Sequence, residues 1–64
     1  MNKRKFLNEI AILWTTYLPS RTFGQAIQSF IWYIEKENKK LNYLNDDEFM
    51  HLFRKYCEEH NEIM

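Results

Sequence analysis

The sequence predicts an all-α protein: a small three-helix bundle built as a single domain over residues 1–64. Three observations predict it. Apolar residues recur at three- and four-residue steps in three separate segments, the spacing that lines one face of a helix. Two segments open on side-chain caps, Thr22 with Gln25 and Asn45 with Glu48. No stretch alternates apolar and polar residues as a half-buried strand does. The expected helices lie near 4–18, 21–39 and 46–59.

In the first segment Phe6, Leu7, Ile10, Leu13, Trp14 and Tyr17 share a face. Ile12 falls roughly opposite at about 100° per residue. Pro19 ends the helix, because the residue before a proline is pushed out of the α region. Ser20-Arg21-Thr22 makes the connection. Thr22 with Gln25 forms a capping box, and Ser20 is a competing N-cap.

The second segment, Leu18 to Ile34, holds the only proline and the only glycine, and it reads as the central helix. Phe23, Ile27, Phe30 and Ile34 form its stripe, flanked by Ile31 and Tyr33. Gly24 in the first turn costs roughly 1 kcal/mol against Ala. Either the first helix approaches its backbone closely, or it eases the turn. Trp32 is out of place, because its wheel neighbours are Gln25, Gln28, Ser29 and Lys36. A large aromatic on a polar face marks a contact surface, unless the third helix or a terminus folds over it.

Lys36 to Lys40 close this helix, with positive charge complementing its dipole. Leu41 to Leu44 link to the third segment, where Asp46 and Asp47 follow the Asn45 cap. Phe49, Leu52, Phe53 and Tyr56 form the third apolar face, which His60 and Ile63 extend, with Met50 and Cys57 on a flank. The tail from Glu58 to Met64 is expected to fray.

A chain of 64 residues buries only about 60% of its unfolded surface. Such scaffolds need a disulfide, a metal, dense packing or association. One cysteine excludes an internal disulfide, and two histidines give no spaced metal cluster. No metal or cofactor is therefore expected. Five Phe, four Tyr and two Trp supply packing and association. Burying a further ~400 Å² of apolar surface per subunit would contribute on the order of 10 kcal/mol gross, before association costs of several kcal/mol. A homodimer is expected on that ground.

Nine acids balance nine bases, which argues against nucleic-acid binding. The charges are segregated: Lys3, Arg4 and Lys5 open the chain, and from Asp46 onward six acids face two bases. No apolar run spans a membrane, and no signal peptide is visible. A lone free thiol fits a reducing cytoplasm.

Cys57 and His60, at i and i+3, are the nearest approach to a catalytic pair, yet Glu58 and Glu59 follow the thiol and no cleft surrounds it. His51 reads as a solvated surface residue, and Asp46-Asp47-Glu48 as helix-capping acids. No catalytic residue is expected. Trp32, Ile12, Gln28, Lys36 and Gln25 are the expected interface with a partner protein or a second copy. The alternative is a helix-turn-helix-like DNA-binding regulator contacting nucleic acid through Lys3, Arg4, Lys5 and Arg21.

Trp14, Pro19 and Phe23-Gly24-Gln25, followed by Asn42-Tyr43-Leu44-Asn45-Asp46-Asp47-Glu48-Phe49, resemble a group of short bacterial and phage proteins. Their pattern is W…P-x-x-R-F-G-Q and then F-Y-x-x-D-D/E-E-L. The resemblance spans about Ile10 to Phe53. It departs at Thr22, where the group has arginine, and Arg21 stands one position earlier. The group brings no catalytic or binding residues. The resemblance implies a phage or mobile-element origin and, by analogy, binding and inhibition of a host protein.

Overall fold

Local capping fixes where each helix begins. The computed structural model describes residues 2–62. Helix α1 spans Lys3–Tyr17, and the Asn2 side chain caps it by accepting from the amides of Arg4 and Lys5. Helix α2 spans Phe23–Glu35 and opens on Thr22. Thr22 Oγ1 accepts from the Gln25 amide at 3.1 Å, and Gln25 Oε1 accepts from the Thr22 amide at 2.9 Å. Thr22, not Ser20, is therefore the cap. A short 3₁₀ turn, Leu41–Tyr43, leads to α3, Asp46–Glu59, capped by the reciprocal pair Asn45 and Glu48. The architecture is all-α with three α-helices among the described residues.

The end of α2 departs from expectation. It stops at Glu35 and not near 39, because Asn38 takes φ 61, in the left-handed region. The Lys39 amide donates to the Ile34 carbonyl at 3.1 Å and the Asn38 amide to the Glu35 carbonyl at 3.0 Å. This is a Schellman ending with Asn at the position usually held by Gly, and it satisfies two carbonyls that the helix would otherwise leave open.

The third helix, not the second, is the centre. Helix α1 packs most closely on α3, and α2 also packs on α3 more than on α1. Met50, Leu52, Phe53, Tyr56 and Cys57 of α3 are all buried. They span an arc of about 160° at 100° per residue, which is what a helix covered from two sides requires. Phe30 of α2 is wholly buried and touches the rings of Phe49, Phe53 and Tyr56 at 4.9, 5.2 and 5.8 Å. Ile10, Leu13, Leu18, Ala26 and Ile34 complete the core.

Helices α1 and α3 run in the same direction. Phe6 meets Phe49 at 5.4 Å, and Glu9 pairs with Arg54 at 2.9 Å. The amide of Glu62 donates to the Tyr17 carbonyl at 2.8 Å. The tail is thus anchored as far as Glu62, whose carboxylate also accepts from the Ser20 amide and hydroxyl. These bonds hold the Glu62 carboxyl below its usual pKa, the hydroxyl contributing most. The expected fraying is not seen there, and Ile63 lies outside the described residues.

Two apolar residues assigned to core stripes sit elsewhere. Leu7 is 63% exposed, because α1 packs chiefly on α3 and buries a narrower face than the stripe supplies. Phe23 is 44% exposed at the start of α2, edge-on to Trp14 at 5.3 Å. Tyr43 of the linker is exposed on the 3₁₀ turn. A Cβ placed on Gly24 would meet nothing within 4 Å, so this glycine permits no close helix approach.

Candidate functional site

Trp32 is 59% exposed, and neither α3 nor the described tail covers it. Its position follows from the register of α2. Ala26, Phe30 and Ile34 take the buried face, and at 100° per residue Trp32 points nearly opposite. Gln28 and Lys36, one turn to either side, are exposed with it, while Ser29 is half-buried. The result is an indole flanked by an amide and an ammonium. That set suits a protein surface, where a large rigid ring supplies contact area and the polar neighbours supply hydrogen bonds.

The other expected interface residues divide. Gln25 is exposed, but its side-chain oxygen is held by the α2 cap. Ile12 is 57% exposed on the face of α1 turned away from α3, so it is not part of the α2 stripe.

The residues assigned to nucleic-acid contact divide as well. Lys3, Arg4 and Lys5 are exposed around the first turn of α1. Arg21 instead serves the fold. Its guanidinium donates to the Tyr56 hydroxyl at 2.7 Å, and its carbonyl accepts from Trp14 Nε1 at 2.8 Å. Sequence spacing could not have found the Tyr56 contact, since 35 positions separate the two residues.

Cys57 is fully buried, and burial, followed by the charge of Glu58, pushes its thiol up to about 11. Burial thus favours the protonated thiol over the thiolate that a nucleophile needs. His60, three residues on, packs on Tyr56 at 4.7 Å and Tyr33 at 5.7 Å, and its Nδ1 donates to the Tyr56 carbonyl at 3.0 Å. The Tyr33 hydroxyl donates to Glu59 at 2.9 Å. Burial, then that carboxylate, raises Tyr33 to about 12. These groups form a structural cluster where α2 meets the end of α3.

No group of three His, Cys, Asp or Glu side chains among the described residues is placed to hold a metal ion. None of the described helices is long and apolar enough to cross a membrane. A depression of about 290 Å³ lies beside the first turns of α3, lined by Lys39, Asp47, Glu48, His51 and Leu52.

No family model, curated protein or solved structure matches the chain.

Proposed function

We propose that this chain is a small non-enzymatic protein-binding module that modulates or inhibits a host protein through the Trp32 face and the acidic α3. The single observation that carries the reading is the exposure of Trp32 between Gln28 and Lys36, on the face opposite a fully formed core. An exposed tryptophan costs solvation free energy in the monomer and recovers it when a partner covers it. The acids of α3 add a surface that favours a basic partner and speeds encounter with it. The resemblance to short phage and bacterial proteins supports a host protein as the partner class and a phage or mobile-element origin. The place of action on this reading is the cytoplasm.

The test is affinity capture from host lysate with wild-type chain and Trp32→Ala in parallel, read by mass spectrometry. A protein retained by the wild type and lost by an equally stable Trp32→Ala supports the reading. Identical captured sets contradict it.

A further inference from the structure

The two tryptophans of the chain differ in what their indole N–H groups meet. Trp14 Nε1 donates to the Arg21 carbonyl at 2.8 Å, whereas the Trp32 N–H bonds to nothing among the described residues. Its neighbours are short of acceptors too. Gln25 Oε1 is taken by the Thr22 amide at 2.9 Å, which leaves the Gln25 NH₂ group unbound. Lys36 carries N–H donors and no acceptor, and no carboxylate among the described residues pairs with it. Gln28 alone brings both a donor and an acceptor to this face.

These side chains share one arc of α2. At about 100° per residue, Gln25, Gln28 and Lys36 lie within about 40° of Trp32, and all are exposed. Buried Phe30 points about 160° away. The only formal charge inside the arc is the Lys36 ammonium. Glu35, the one acid of α2, stands about 60° from Trp32, at the edge. From Gln25 to Lys36 the face runs for about 16 Å, the length of roughly five extended residues.

A partner that covers this face removes water from the indole N–H, the Gln25 amide and the ammonium together. A donor buried without an acceptor loses its hydrogen bond to water and gains none, and a charged donor loses most. Donor-rich or wholly apolar surfaces are therefore rejected. Carboxylates meet both demands: they are acceptors only, and their charge is opposite to that of Lys36.

We propose that the Trp32 face takes a short acidic segment of its partner, which lays an apolar side chain on the indole ring and sets carboxylates against Lys36, the Trp32 N–H and the Gln25 amide. The inference rests on the protein-binding reading and names the chemistry of what meets Trp32. The acids of α3 belong to a different surface, because the side of α2 that meets α3 is the buried one. An acidic segment on α2 and a basic patch on α3 are two features of one partner, and opposite charges at two places fix its orientation.

The test selects a displayed library of random peptides on the full chain and counter-selects it on Trp32→Ala, with circular dichroism as a fold control. Peptides retained only by the wild type are expected to be enriched in Asp and Glu. The tightest of them is expected to bind Lys36→Glu at least about tenfold more weakly. Trp32→Phe keeps an aromatic ring and loses the N–H, and is expected to weaken binding about fivefold. Affinity is expected to fall as salt rises. Trp32-dependent peptides of neutral or basic composition overturn the proposal and leave the protein-binding reading standing. An acidic peptide indifferent to Lys36→Glu overturns it as well. A library in which no peptide depends on Trp32 overturns the inference together with the reading beneath it.

Discussion

The Arg21 guanidinium donates to the Tyr56 hydroxyl at 2.7 Å, tying the loop between α1 and α2 to the last turn of α3. Tyr56 is 1% exposed, whereas Arg21 is only half-buried. The two ends of this bond therefore differ in what breaking it leaves behind. Arg21→Met strands a buried hydroxyl and is expected to cost about 1–3 kcal/mol. Tyr56→Phe releases an arginine that water can reach and is expected to cost less. The double variant is expected to be more stable than Arg21→Met alone. Urea unfolding of the three variants measures this. Equal stability of Arg21→Met and wild type would return Arg21 to the pool of free surface cations.

Phe30 and Trp32, two positions apart on α2, are expected to respond oppositely to truncation. Phe30 is 0% exposed and touches three rings of α3. Phe30→Ala is expected to cost about 3–5 kcal/mol, comparable with the whole stability of a domain this small, roughly 3–10 kcal/mol. The chain then unfolds or nearly so. Trp32→Ala is expected to cost under about 1 kcal/mol, as surface changes do. Thermal melts followed by circular dichroism compare them, and a Trp32→Ala loss of several kcal/mol would make Trp32 a core residue.

Two backbone positions predict changes of opposite sign. Gly24 sits in open space inside α2, so Gly24→Ala is expected to stabilise by up to about 1 kcal/mol. Asn38 holds φ 61, which a Cβ-bearing residue without asparagine's local bonding tolerates poorly. Asn38→Ala is expected to destabilise by about 1 kcal/mol, and Asn38→Gly to stabilise. Denaturant midpoints check both, and a destabilising Gly24→Ala would mean that another element approaches there.

Stability is expected to fall in alkali. The buried Cys57 thiol keeps its proton to about 11 in the folded chain, against 9.0 for a free thiol. Through that window the unfolded state binds fewer protons than the folded one, so stability declines as pH rises. Tyr33 adds a decline of the same sign between 10.0 and about 12. Urea midpoints against pH for wild type and Cys57→Ala test this. The variant is expected to lose the first stage of the decline, and an unchanged profile would contradict it.

What the sequence made legible was local. Thr22 with Gln25 and Asn45 with Glu48 are bonds between residues three apart, so both caps could be read before any tertiary structure was known. The polar setting of Trp32 was legible for the same reason, since wheel neighbours are set by the helix alone. Three features were not legible because they depend on which helix is packed between the others. These are the central place of α3, the exposure of Leu7 and Phe23, and the structural use of Arg21. The end of α2 was misread because Lys36 to Lys40 suit a helix C-terminus by charge. The backbone turn at Asn38 decides the matter earlier, at Glu35. Glu62 could not be paired with Ser20 from spacing, because 42 positions separate them.

The account's central claim is that the Trp32 face meets a partner protein. The most direct measurement places a photo-crosslinking amino acid at position 32 and, as a control, at Thr16, an exposed position on α1. Both chains are irradiated in host cells and the adducts identified by mass spectrometry. The account predicts a discrete adduct to one protein from position 32 and none from position 16. No adduct from position 32, or the same adducts from both positions, would contradict it.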